Sequence, residues 1–194
     1  YQPNEAREYL NKALKLAKKE GLTIPIVYNT SGYETVSALS KLEGLVDVYL
    51  PDFKYKSSEL SFKYSNAKDY FQVAKSALKE MFRQVGKPQF DDNGIIRKGV
   101  IVRHLVLPGF TEDSKAVIKY LYENYKNDIY ISIMNQYTPM KEFREYPNLS
   151  RKLKEYEYKS VVDYATGIGI SRAFIQEGGA AGESFIPAFD CEGV

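Results

Sequence analysis

Residues 100–109 read VIVRHLVLPG, an apolar, strand-like run that carries one arginine and one histidine and stops at Pro108 and Gly109. Two earlier segments have the same form, IPIVYNTSG over 24–32 and VDVYLPDFK over 46–54. Short, nearly continuous Val/Ile/Leu runs suit buried parallel strands, and in barrel-type α/β proteins the polar groups at the C-terminal ends of those strands face the site. Asn29, Asp52, Lys54 and Arg103 are therefore the first candidate site residues.

Between these runs the apolar period becomes helical. From Asn4 to Glu20, Ala6, Tyr9, Leu10, Ala13, Leu14 and Ala17 recur at three- and four-residue steps, with Gly21 as the stop. Strands are predicted over 22–29, 46–53, from Val100, and over 129–136, with a last extended piece at 173–176. Helices are predicted over 33–42, 111–127 and 156–168, and Ser65 or Asn66 is expected to cap a long helix running to Gly86. Residues 87–99, with two glycines, a proline and Asp91-Asp92, read as an exposed turn or hairpin. Alternating strands and helices imply parallel strands joined by right-handed crossovers. The expected fold is α/β, its parallel sheet either open or part of a (β/α) TIM-type barrel; the four main strands are too few to close one. One domain is expected over residues 1–194.

Composition narrows the function. The 194 residues include 27 basic and 25 acidic side chains, a net charge of +2, so no broad field favours nucleic acid or an anionic membrane. No uninterrupted apolar stretch approaches the roughly 18 residues of a membrane span. A single cysteine, Cys191, precludes an intramolecular disulfide framework and a cysteine-rich zinc site. Neither nucleic acid nor a membrane is an expected partner, and the expected location is the cytoplasm.

The chemistry concentrates at the strand ends. Asp52 and Lys54 stand two apart, so a strand points both to one face. There they can bind a zwitterion or a ribose, or form a solvated ion pair worth under about 1 kcal/mol. Spacing leaves both open, and Lys54 also suits a Schiff-base lyase. Arg103 interrupts an apolar strand, where an unpaired charge is expensive, so it needs an anionic partner in the fold or on a ligand. His104 points to the opposite face, towards the helices, which favours a supporting hydrogen bond over catalysis. Asn29 to Ser31, and Gln136 with Tyr137, can line a ligand pocket or serve local turns. No residue is singled out as directly catalytic, and no metal ligand is assigned.

Six ordered segments, YNTSGYE at Tyr28, DVYLPDFKY at Asp47, EMFRQVG at Glu80, IVRHLVLPG at Ile101, ISIMNQYTP at Ile131 and SFIPAFD at Ser184, resemble the radical S-adenosylmethionine family, closest to its pyruvate formate-lyase-activating-enzyme group. The resemblance implies a partial (β/α)6 barrel that holds a [4Fe-4S] cluster through a CxxxCxxC loop. S-adenosylmethionine is cleaved there to a 5′-deoxyadenosyl radical, which takes hydrogen from a glycine of a partner enzyme. It places Asp52 and Lys54 on the strand that contacts the ribose and carboxylate of S-adenosylmethionine. Arg103 falls on a cofactor-contacting arginine, Asn29 on the polar end of a TNG-like segment, and Gln136 and Tyr137 near the adenosine contacts. The implied partners are a glycyl-radical-type protein and an electron donor.

One departure stands out. CxxxCxxC is absent, and one cysteine cannot supply the three thiolates of such a cluster. The first strand, its helix and the glycine-rich second strand of the family pattern are also missing. The expectation is therefore a C-terminal portion of a longer radical S-adenosylmethionine protein, inactive in isolation. Its open strand edge invites pairing with a second copy. The alternatives are the Lys54 lyase and a non-catalytic half-barrel binding domain.

Overall fold

In the computed structural model, which describes residues 3–139 and 146–176, five parallel strands lie in nearly sequential order. They are β1 (Val27–Thr30), β2 (Val48–Pro51), β4 (Ile96–Leu105), β5 (Tyr130–Met134) and β6 (Ala173–Ile175). The short β3 (Gln89–Phe90) pairs antiparallel with the start of β4, which makes residues 87–99 the expected hairpin. Helices α1 (Pro3–Lys19), α2 (Val36–Ser40), α3 (Ser58–Ser65), α4 (Tyr70–Val85), α5 (Thr111–Tyr125) and α6 (Glu155–Gly167) complete the chain order. This is an α/β partial barrel, and among the described residues β1 and β6 are its edges.

Burial follows strand alternation. In β4, Val100, Val102 and His104 are at most 1% exposed, while Ile101, Arg103 and Leu105 between them are half-buried. In β5, Ile131 and Ile133 are buried whereas Tyr130, Ser132 and Met134 are half-buried. One face of the sheet packs against the helices through Leu39, Leu78, Ile118, Leu121 and Val161. The other face stays partly open. In β4 and β5 the apolar run is therefore fully buried on the helix side alone, whereas in β2 the adjacent Val48 and Tyr49 are both buried; the polar strand-end residues belong to the open side.

Two boundaries differ from the sequence expectation. Strand β1 starts at Val27 rather than Leu22, because Pro25 has no N–H for a ladder and the Ile26 N–H donates to Asp47 Oδ2 at 2.8 Å. The long helix running to Gly86 is α4, which begins at Tyr70 behind Asp69 rather than directly after Ser65 or Asn66. A helix that the sequence pattern did not indicate, α3, precedes it, capped by Ser57 and ended by Asn66 in the left-handed conformation at φ 50°. Only then does α4 begin, burying Tyr70, Ala74, Ala77, Leu78, Met81 and Val85 as its period requires.

Candidate functional site

The C-terminal ends of β1, β2 and β4 bring Asn29, Asp52, Lys54 and Arg103 into one polar network. Arg103 donates to Asp52 Oδ1 from Nε at 2.8 Å and lies 2.6 Å from it through Nη2, which also donates to Asn29 Oδ1 at 2.7 Å. Lys54 Nζ sits 3.2 Å from the other oxygen, Asp52 Oδ2. The anionic partner that Arg103 required is thus Asp52, 51 residues away in sequence. The two are brought side by side where β2 runs out, at the parallel bridge Asp52–Arg103. Asp52 and Lys54 do share a face, as period-two geometry demands.

Beside this network lies a cavity of about 430 Å³, within the usual range for small-molecule sites. Asp52, Lys54 and Arg103 line its polar side; Tyr55, Tyr64 and Tyr137 form an aromatic wall, and Leu105, Leu107, Met134 and Leu149 an aliphatic one. Gln136 also lines it, while Asn29 reaches it only through Arg103. Among the described residues its charged lining is two cations and one carboxylate, Lys54 and Arg103 against Asp52. Within that described lining, the positive excess and the Lys54 and Arg103 donors not directed at Asp52 or Asn29 suit a ligand with a carboxylate or phosphate beside a flat apolar group. Lys54 is ion-paired and its side chain is 41% exposed, which is unlike the desolvated setting of a Schiff-base lysine.

The backbone that carries these groups is fixed from behind. His104 is buried on the helix side and its Nδ1 lies 2.7 Å from the Phe53 carbonyl. A carbonyl only accepts, so Nδ1 carries the hydrogen, and burial holds the imidazole pKa below its ordinary value. This is the supporting role its strand position suggested. The Asp113 carboxylate accepts from the Lys56 and Ser57 N–H groups at 3.1 and 2.7 Å. Thr30 and Ser31 serve the following turn: Thr30 Oγ1 donates to Glu34 at 2.6 Å and accepts from the Gly32 N–H at 3.2 Å. Tyr137 donates its hydroxyl to the Leu149 carbonyl at 2.6 Å, so it offers a ligand its ring rather than its proton.

Tyr64, Leu107, Met134 and Leu149 were not legible as site residues. Tyr64 comes from α3, which carries no clear apolar stripe; Leu149 lies in a 3-10 turn, Pro147–Ser150, that only the tertiary fold brings to the cavity. Cys191 and the segment SFIPAFD lie outside the described residues. Among the described residues no three of His, Cys, Asp and Glu gather to hold a metal ion, and no helix is long and apolar enough to cross a membrane.

No protein-family model matches the chain. It is 30% identical over 160 residues to the uncharacterized protein MJ0674 of Methanocaldococcus jannaschii, an alignment covering 81% of this chain and 42% of that protein. The chain thus spans less than half the length of the curated relative it matches. Its fold is similar to the crystal structure of a domain of pyruvate-formate lyase-activating enzyme from Bacteroides vulgatus, with TM-score 0.61 and 11% identity, covering 91% of this chain and 95% of that one. The α/β fold with parallel strands expected from the strand pattern, here a partial barrel, is therefore a fold shared with a domain of an activating enzyme.

Proposed function

We propose that the polar strand ends and the cavity beside them bind S-adenosylmethionine, and that this chain is part of a radical S-adenosylmethionine enzyme of the pyruvate formate-lyase-activating group. The observation that carries the reading is one carboxylate, Asp52, shared by Lys54 and Arg103 at the polar side of an otherwise aromatic and aliphatic cavity. In it Lys54 and Arg103 face the ligand's carboxylate end, Asp52 accepts from ribose hydroxyls, and the tyrosine wall with Gln136 takes the adenine. Bound there, S-adenosylmethionine supplies the sulfonium bond that the family's reductive cleavage breaks. The fold shared with an activating-enzyme domain supports the same reading. The proposed partners of the whole protein are a glycyl-radical-type protein and an electron donor.

An iron–sulfur cluster does not fit this chain. A [4Fe-4S] cluster of this family takes three thiolates, the sequence has one cysteine, and no alternative ligand cluster exists among the described residues. No step through a cluster is assigned to these residues.

Calorimetric titration with S-adenosylmethionine tests the site. The expected result is saturable binding that weakens at least tenfold in Arg103→Ala, since a charge-assisted hydrogen bond contributes roughly 1.5–3 kcal/mol. No binding, or equal binding by the variant, would overturn the reading. Borohydride with small keto acids is expected to leave Lys54 unmodified; a trapped adduct would favour the lyase instead. Incubation with iron and sulfide is expected to give a brown chromophore only in a longer form of the protein that carries CxxxCxxC.

A further inference from the structure

The Tyr70 hydroxyl stands where the ends of β1 and β2 meet, and it touches both. It accepts from the Lys54 N–H at 3.0 Å, and its single proton is shared between the Ser31 carbonyl at 3.0 Å and the Asp52 carbonyl at 3.1 Å. The residue is 2% exposed, and its ring is stacked on Tyr33 and meets Tyr55 edge-on, with centroids 5.8 and 5.6 Å away. Burial raises its pKa, so the hydroxyl stays protonated and keeps both donor and acceptor functions.

Gly32 makes the junction tight. It adopts φ +75°, and a Cβ built on it would overlap the Asp52 carbonyl and come 3.5 Å from the Tyr70 hydroxyl. The β1 end therefore approaches the β2 end more closely than any side chain permits, and the Tyr70 hydroxyl fills the remaining space with the hydrogen bonds that the two chain ends need. His104 and Asp113 hold only the β2 side of this junction.

From this geometry we propose that Tyr70 is a positioning residue of the ligand site: its hydroxyl locks the ends of β1 and β2 together, so that Asp52 and Lys54 present their polar atoms to one ligand while Asn29 holds the Arg103 guanidinium beside them. The proposal rests on the reading of these strand ends as a ligand site. It assigns Tyr70 no contact with the ligand, because the hydroxyl is fully committed to backbone. The sequence pattern alone marks Tyr70 as an apolar position opening a helix, and nothing in that pattern indicates a role at the strand ends.

Tyr70→Phe keeps the ring and removes only the hydroxyl. Three measurements decide the matter: hydrogen exchange at the Lys54 amide, thermal unfolding, and affinity for S-adenosylmethionine against 5′-methylthioadenosine, which lacks the amino-acid end. The expected result is exchange at Lys54 at least tenfold faster, a variant still folded, and the affinity ratio between the two ligands reduced about tenfold. An equal loss for both ligands would mean general loosening and would overturn the proposal, as would unchanged protection at Lys54. Tyr33→Phe, which alters a neighbouring exposed hydroxyl, is expected to change neither the exchange nor the ratio. If the unaltered chain binds neither ligand, the ligand reading falls; the exchange measurement then decides the lock by itself.

Discussion

Glu157→Ala is expected to destabilise the fold by about 3 kcal/mol and to open the aliphatic side of the cavity. The Glu157 side chain is 5% exposed and all of its accepting capacity is used. Oε1 accepts from the Gly109 N–H at 2.7 Å and from Arg151 Nη2 at 2.8 Å; Oε2 accepts from Arg151 Nη1 at 2.7 Å and the Lys154 N–H at 3.0 Å. One side chain thus ties the turn after β4 to the segment before α6. Leu107 and Leu149, which flank those two attachment points, line the cavity. Removing one partner of a buried, hydrogen-bonded ion pair typically costs 3–5 kcal/mol, and Arg151, whose side chain is 33% exposed, places this pair at the lower end.

The same carboxylate gives the protein an acid limit. The Arg151 guanidinium, followed by the Lys154 and Gly109 N–H groups, holds the Glu157 pKa at about 2, well below its ordinary range. Because the folded-state pKa is depressed, the stabilisation is fully present above the unfolded pKa near 4.3 and is lost as pH falls through that value towards 2. Urea unfolding between pH 5 and 2 is expected to show stability falling in the unaltered chain and a flatter profile in Glu157→Ala. Parallel profiles would show that Glu157 is not responsible. Glu80, also held at about pKa 2, chiefly by Arg83, adds a residual slope common to both proteins.

What the sequence made legible is set by range. Period-two alternation is local, so it correctly put Asp52 with Lys54 and separated Arg103 from His104. The cost of burying an unpaired charge is local too, so Arg103 had to have a partner. Which partner it had was not legible: Asp52 lies 51 residues away and Asn29 lies 74 away, and both meet Arg103 only through the pairing of β2 with its neighbours. The sequence likewise marks Tyr70 as a core aromatic, because its ring is one; the function of its hydroxyl depends on two carbonyls and an N–H from two other elements. Helix α3 was missed for a different reason. Of its eight residues only Ser61 is buried, so burial leaves almost no periodic trace, yet its Tyr64 forms part of the cavity wall.

Among the described glycines Gly32→Ala is expected to be the most damaging alanine substitution, and Gly44→Ala shows why. Both glycines have nearly the same backbone angle, φ +75° and +76°, but a Cβ at Gly44 meets nothing within 4 Å, whereas at Gly32 it overlaps the Asp52 carbonyl. The cost of placing an L-residue in the left-handed region, about 1–2 kcal/mol, is therefore common to both. The difference between them isolates the strand junction. At Gly32 the overlap is with backbone and cannot be relieved by rotating a side chain. Relief must displace the Asp52 backbone, whose carbonyl also accepts from Tyr70 and whose N–H, in the preceding peptide unit, donates to the Thr30 carbonyl at 2.8 Å. Losing or straining both hydrogen bonds adds roughly 1–3 kcal/mol, since a buried group left unpaired carries its full desolvation cost. Urea denaturation is expected to rank Gly32→Ala at least about 1 kcal/mol below Gly44→Ala, and calorimetry is expected to show S-adenosylmethionine binding lost in the first and kept in the second. Equal stabilities would mean that the β1 and β2 ends can separate freely. In that case the close approach at Gly32 would not be what sets the Asp52 carboxylate against Arg103 and Lys54.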